Sequence, residues 1–275
     1  MAKRTHQILS AVLAVTALSL AWVSHSSAAD MPIKASPAAP LATAPSWTGF
    51  YLGANVGYGW SNTAVQIAGT PPFDAFVGPA IDPTIASDPK GVLGGLQAGY
   101  NFQYDAIVLG VETDLDWSGI RKNQTDAHGD PGFPGTLFTT SGDQKLDLFG
   151  TLRGRLGWTF DNLLIYGTGG LAYGHASVST TTGSTIAGVF CSPGGFTDCT
   201  SGSSSKTLTG STWGGGLEWN LGSNWSAKAE YLYYNLGSLS FIAPNTLNPV
   251  NPFHTSVDFK GNIVRVGLNY KLGGM

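Results

Sequence analysis

From Trp47 onward, segment after segment alternates large apolar residues with polar or small ones at a period of two. That spacing is the mark of strands whose two faces meet different surroundings. In the first segment Phe50, Leu52, Ala54, Val56, Tyr58 and Trp60 share one face, opposite Gly53, Asn55, Gly57 and Gly59. The second sets Val92, Leu96, Ala98, Tyr100 and Phe102 against Gln97, Asn101 and Gln103, and the third sets Ile107, Leu109, Val111, Leu115 and Trp117 against Glu112 and Asp114. The fourth has Leu146, Leu148, Leu152, Leu156, Trp158 and Phe160 opposite Asp147, Thr151, Arg153 and Arg155. A fifth, 163–178, is so rich in small residues that its faces stay unassigned. The sixth sets Trp213, Leu217, Trp219 and Leu221 against Thr212, Gly214, Gly216 and Glu218. The seventh opposes Trp225, Ala227, Ala229, Tyr231 and Tyr233 to Ser226, Lys228 and Glu230, and the eighth opposes Val264, Val266, Leu268 and Tyr270 to Arg265 and Asn269.

The connections fall into two kinds. Strands two and three, four and five, and six and seven are joined by a few residues, at Asp105, Asp161-Asn162 and Gly222-Ser223, whereas the gaps 61–90, 119–144, 179–206 and 237–256 are long. Tight turns at one end and long loops at the other predict an all-β, eight-stranded antiparallel transmembrane β-barrel, up-and-down, with short periplasmic turns and long extracellular loops.

Charge decides which face meets lipid. Glu112, Asp114, Asp147, Arg153, Arg155, Glu218, Lys228, Glu230 and Arg265 lie within strand cores, all on the face opposite the large apolar residues. If the apolar face pointed inward, Trp, Tyr and Phe from nearly every strand would crowd a lumen only wide enough for ordinary side chains. With that face outward the charges avoid hydrocarbon, where each basic one would cost roughly 2–4 kcal/mol at the midplane. The sheet must also close, because an open edge leaves backbone groups unpaired in lipid. Tyr104, Phe160, Trp219, Trp225 and Tyr270 then form a periplasmic aromatic girdle, and Trp60 and Trp117 an outer one. Asp258 and Lys260, on the outward parity of the last strand, belong above the hydrocarbon. The nine inward charges, five acidic and four basic, predict a paired, hydrogen-bonded network that plugs the lumen, since unpaired charges there would be costly to desolvate.

Composition adds a compartment. Lys3 and Arg4 open a leader that is apolar from Ile8 to Trp22 and closes on Ser27-Ala28-Ala29, which predicts a signal peptide over 1–29. A flexible Pro/Ala-rich lead-in follows at 30–46, and the barrel occupies 47–275. Removing the leader takes two of the fourteen basic residues and none of the seventeen acidic ones, so the formal charge moves from −3 to −5; nucleic acid is not an expected partner. Cys191 and Cys199 sit close together in a Gly/Ser/Thr-rich stretch. In an exported chain a loop disulfide is the first expectation, with two free thiols as the alternative.

At Trp47-Thr48-Gly49-Phe50-Tyr51-Leu52-Gly53, followed by Gly57-Tyr58-Gly59-Trp60, the chain resembles the alphaproteobacterial outer-membrane immunogenic, or opacity-type porin, family of OmpA-like barrels. The stretches Tyr166-Gly167-Thr168-Gly169-Gly170-Leu171-Ala172-Tyr173, Ala227-Lys228-Ala229-Glu230-Tyr231-Leu232-Tyr233-Tyr234 and Val264-Arg265-Val266-Gly267-Leu268-Asn269-Tyr270 extend the likeness over essentially the whole mature chain. The resemblance implies an eight-stranded barrel abundant at the Gram-negative cell surface and brings no catalytic residues. Members usually stop at an aromatic residue read by the barrel-insertion machinery; here Leu272-Gly273-Gly274-Met275 follow Tyr270-Lys271.

Other candidate chemistry is sparse. Gly167-Thr168-Gly169-Gly170-Leu171-Ala172 matches a dinucleotide fingerprint, but Ser, Thr and Val follow where a helix would begin and no acid comes until Asp198, so small residues packed in a barrel wall explain it. His128, His175 and His254 lie toward the extracellular end. No nucleophile elbow or spaced triad accompanies them, and no enzymatic activity, cofactor or metal is expected. As loop residues the same histidines could ligate haem iron, and some members of the resembled family bind hemin. The expected function is a surface barrel that supports envelope integrity and displays its loops, with at most small-solute diffusion. A general small-solute porin, and loop-mediated capture of a ligand such as hemin or of a host surface, are the alternatives. The expected partners are outer-membrane lipid and the barrel-assembly machinery.

Overall fold

The computed structural model describes residues 46–68, 84–129, 137–184, 200–244 and 253–273. Every regular element among them is a strand: β1 Gly49–Trp60, β2 Thr63–Ala68, β3 Thr84–Ser87, β4 Lys90–Tyr104, β5 Ile107–Gly129, β6 Leu137–Phe160, β7 Leu163–Ser184, β8 Thr200–Gly222, β9 Trp225–Ala243 and β10 Phe253–Leu272. Eight of these pair antiparallel in the order β1-β4-β5-β6-β7-β8-β9-β10, and β10 returns to β1 from Phe50↔Leu272 to Trp60↔Asn262. The sheet is thereby a closed barrel. Its tight turns carry Asp105, Asp161, Ser223 and Asn224 at φ of 51°, 50°, 50° and 69°, a region that Asp and Asn tolerate better than most residues.

The outward surface is the apolar one. Leu96, Leu171 and Trp117 are 63%, 64% and 66% exposed, and every barrel strand contributes further exposed large apolar side chains. A continuous apolar surface of this extent has no place in water. Below the outer girdle the outward side chains of β6, including Leu148, Leu152, Leu156, Trp158 and Phe160, include no charge. Asp258 and Lys260 pair with each other at 3.2 Å, on the extracellular side of the Trp60↔Asn262 rung.

Three features depart from the sequence reading. First, the register slips between Leu146 and Leu148 where β6 meets β7, and correspondingly between Trp117 and Ile120 on β5. This is a β-bulge, and a one-residue slip sends the residues beyond it to the opposite face. Leu146 therefore points into the lumen, fully buried, while Asp147 is exposed on the outside; the two exchange the faces expected of them. Second, the connection 61–90 contains the β2–β3 hairpin. The extracellular part of β10 outruns β1, and β2 covers that edge by pairing Val65–Ala68 with Val257–His254, as an uncovered edge is a template for unwanted pairing. Third, β5 to β8 continue well past the expected ends of strands three to six, as Ser/Thr-rich extensions held by rungs such as Thr125↔Ser141 and Ser177↔Ser205.

Beyond the last shared rungs, Lys90↔Arg121 and Ser211↔Asn235, the cylinder divides into two four-stranded walls, β5-β6-β7-β8 and β9-β10-β2-β3. The unassigned segment 163–178 also finds its faces. Leu164, Tyr166, Ala172, Ala176 and Val178 are buried inside, and Ile165 and Leu171 face lipid.

The lumen is filled in three layers. At the periplasmic end Trp47, Val108, Leu164 and Tyr166 form a small apolar cluster. Polar and charged side chains follow. Above them a larger apolar cluster begins with Leu93, Ile120, Leu146, Phe149, Leu232, Tyr234 and Ile263 and continues between the walls through Val65, Ile67, Leu208, Leu239, Val257 and Phe259.

Candidate functional site: the charged layer of the lumen

The period of two that builds each strand also loads this layer. β5 contributes Glu112, Asp114 and Asp116, β6 contributes Thr151, Arg153 and Arg155, β9 contributes Lys228 and Glu230, and β8 and β10 contribute Glu218 and Arg265; all are buried. Some partners are direct neighbours in register, as in Glu112↔Arg153 and Arg265↔Glu230, and others lie across the barrel. Arg153 donates through Nη2 to Glu112 Oε1 at 2.5 Å and Asp114 Oδ2 at 3.0 Å, and through Nη1 to Glu230 Oε1 at 2.9 Å. Arg265 reaches three carboxylates with three nitrogens: Nη2 to Asp114 Oδ2 at 2.7 Å, Nη1 to Asp116 Oδ2 at 3.1 Å and Nε to Glu230 Oε2 at 2.8 Å. Lys228 Nζ donates to Glu112 Oε1 at 2.7 Å.

Arg155 leads the periplasmic half of the layer. Its Nη2 donates to Glu218 Oε2 at 2.6 Å and its Nη1 to the Tyr51 hydroxyl at 3.0 Å, while that hydroxyl donates to Glu112 Oε2 at 2.7 Å. The guanidinium carbon lies 4.0 Å from the centre of the Tyr166 ring and 5.9 Å from that of Tyr51, distances at which a cation is attracted to the ring face. Glu218 accepts two further bonds, from Ser226 at 2.6 Å and Asn269 at 2.8 Å. The two rings press against bare backbone: a Cβ on Gly99 would collide with the Tyr51 ring, and one on Gly216 would stand 2.8 Å from the Tyr166 hydroxyl. Only glycine leaves that room.

Of the nine charges expected in the lumen, eight meet here: Glu112, Asp114, Arg153, Arg155, Glu218, Lys228, Glu230 and Arg265. Asp147 does not, because the β6 bulge turns it outward. Asp116 takes its place, keeping five acids against four bases among the described residues. Its parity matches that of Glu112 and Asp114, and that was the available signal. Tyr51 and Tyr166 lie outside the sequence expectation: the glycine-lined face of the first strand does not name the first, and the second lies in the unassigned segment. The outer apolar cluster also had a signal in Tyr231-Leu232-Tyr233-Tyr234, where both faces of one strand become large and apolar at once.

Such an arrangement can hold a shape and block a path. Each buried arginine has several carboxylate partners, and removing one partner of a buried pair typically costs about 3–5 kcal/mol. Cavities at the two ends of the filled lumen are small. One of about 30 Å³ lies at the periplasmic mouth among Trp47, Tyr51, Asn101, Glu218 and Ser226, and one of about 10 Å³ at the outer mouth among Ser61, Ile120, Gln144, Tyr234 and Phe259. The first has room for a water or two and the second for one at most.

The remaining sequence candidates lie elsewhere. His175 sits on the outer wall, its Nε2 2.9 Å from Ser205 Oγ and its Nδ1 3.5 Å from Thr207 Oγ1, and His254 is exposed on β10. The side chain of His128 lies outside the described residues, as do Cys191 and Cys199, the leader and most of the lead-in. Among the described residues no group of three or more His, Cys, Asp or Glu side chains is arranged to hold a metal ion.

The chain is similar to known outer-membrane proteins. The 31 kDa outer-membrane immunogenic protein of Brucella melitensis is 36% identical over 89% of this chain and 92% of its own length. The 22 kDa outer membrane protein of Rhizobium leguminosarum is 31% identical over 74% of each chain. Among solved structures, the outer membrane protein OprG of Pseudomonas aeruginosa is similar at 12% identity and a TM-score of 0.44, over 82% of this chain and 97% of that one. The family model described as the outer membrane protein beta-barrel domain matches residues 14–271, and the chain belongs to that family, a β-barrel protein of the cell outer membrane.

Proposed function

We propose that the protein is a closed surface barrel that supports envelope integrity and displays its extracellular walls, with at most very small solutes crossing its lumen. The observation that supports this reading is the stacking of the salt-bridged layer between two apolar clusters. An ion moving through would have to break buried charge pairs and then shed its water among Phe149, Leu232 and Ile263, and both steps are expensive in a low-dielectric interior. Outer-membrane lipid is the partner of the apolar belt, and the barrel-assembly machinery its route into the membrane. The test is conductance of the purified protein in planar bilayers, paired with swelling of liposomes in sugars. The expected record has no large stable steps and no swelling; steady large steps would favour a general porin instead.

A second reading rests on the walls. They lift Ser/Thr-rich strands above the belt, and the Brucella relatives are named immunogenic proteins. Display of this surface to host molecules, or capture of a ligand such as hemin, is tested by saturable binding to intact cells that is lost when 179–206 is shortened.

A further inference from the structure

We propose that the outer wall of the barrel carries an acyl-ester hydrolase site, with Ser205 as nucleophile and His175 as its base. The pair is absent from any local motif and is assembled by register: β7 and β8 align His175↔Thr207 and Ser177↔Ser205, and parity turns all four side chains outward. Ser205 Oγ lies 2.9 Å from His175 Nε2, and Ser177 Oγ lies 2.8 Å from Ser205 Oγ. With the ring proton on Nδ1, facing Thr207 Oγ1 at 3.5 Å, Nε2 is free to accept the Ser205 proton, and Ser177 is then the donor to Ser205. A nucleophile within hydrogen-bond reach of a base that a third group orients is the arrangement that nucleophilic acyl transfer requires. On the neighbouring strand the bulge leaves the Asp147 carboxylate on this same outer face, next to Leu148, the partner of His175.

Location points to the substrate class. Leu148 also pairs with Trp117 of the outer girdle, so the cluster stands where hydrocarbon gives way to headgroups. Acyl esters of outer-leaflet lipids lie at that depth. In the reaction Ser205 Oγ attacks the ester carbonyl carbon and its proton passes to His175 Nε2. The Ser177 hydroxyl, whose proton no longer has a lone pair of Ser205 Oγ to itself once the new bond forms, turns to the oxygen that gains charge. The bond to the alcohol then breaks, and the alcohol leaves with the proton from Nε2. Water attacks the acyl-serine, His175 takes its proton and returns it to Ser205 Oγ, and the fatty acid is released; only ester and water are consumed.

The site does not depend on the lumen being closed. Its test is a long-chain alkyl fluorophosphonate added to the full-length protein in phospholipid vesicles, with the modified residue located by peptide mass spectrometry. Wild type is expected to be phosphonylated on Ser205. S205A should lose the label, and H175A should slow labelling by about a hundredfold or more, the low end of what a general base contributes, with free imidazole restoring part of the rate. Because these side chains point away from the lumen, both variants should keep heat-modifiable migration, which certifies folding independently. A wild type inert to the probe, or label that survives S205A, overturns the proposal. So does an H175A rate equal to wild type, which is what a merely structural hydroxyl ladder predicts.

Discussion

Replacing Arg265 with methionine tests the lumen more directly than any other single change. Arg265 is 1% exposed, and its guanidinium gives one hydrogen bond each to Asp114, Asp116 and Glu230, at 2.7, 3.1 and 2.8 Å. Methionine fills much of the same volume, so the loss is electrostatic. Five acids would then face three bases, and Asp116 would lose the only ion pair that the described residues provide it. Breaking a buried pair from one side costs about 3–5 kcal/mol. At a urea dependence of about 2 kcal/mol per molar, within the usual range, the unfolding midpoint in vesicles should fall by roughly 2 M. Arg265→Lys keeps the charge but not the three-pronged reach, and should lose about 1.5–3 kcal/mol, the scale of a hydrogen bond to a charged group. The measurement is equilibrium urea unfolding followed by tryptophan fluorescence and by heat-modifiable migration. An R265M midpoint within about 0.3 M of wild type would refute the view that this network holds the barrel together.

Other changes probe the remaining layers. Asp147→Asn should be nearly silent, within about 0.5 kcal/mol in the same unfolding assay, because the side chain is exposed and outside the network. Leu152→Arg puts a charge on the outward apolar belt of β6 and should cost about 2–4 kcal/mol, visible as a lower folded fraction after refolding into vesicles. Phe149→Ala empties the centre of the outer cluster, where the ring packs 5.2 Å from that of Tyr234, and should cost about 3–5 kcal/mol in the urea midpoint.

Legibility along the chain followed the physics of each element. β4 could be read from its own residues, because Leu96, Ala98, Tyr100 and Phe102 keep one parity from end to end. β6 could not be read whole, since a bulge is a property of two strands in register and nothing within Leu146-Asp147-Leu148 announces which residue is the extra one. β7 was opaque because Gly167, Gly169 and Gly170 present no contrast between faces. The β2–β3 hairpin exists because β10 outruns β1, a fact of the assembled sheet. The charged layer was legible strand by strand through its i, i+2 spacing, but which acid meets which base depends on how far neighbouring strands are staggered. Arg153 reaching Glu230 across the lumen is a result of closure, and closure is invisible in one dimension.

That closure has a kinetic side. The seam joins Phe50 to Leu272, nearly the two ends of the barrel's sequence, whereas every other barrel rung joins strands that are neighbours in sequence or are separated only by the small β2–β3 hairpin. Local hairpins can assemble as they emerge, but the seam must wait for the last strand, and long-range pairings are the slow ones. β10 also carries Arg265. Until it docks, Asp114, Asp116 and Glu230 are gathered without one of their main counterions, so a barrel missing its final strand has both an open edge and surplus negative charge at its centre. The last strand thus zips the wall and halves the interior's surplus of negative charge in one event, which makes an incomplete barrel unstable by two independent routes and the finished one slow to reopen.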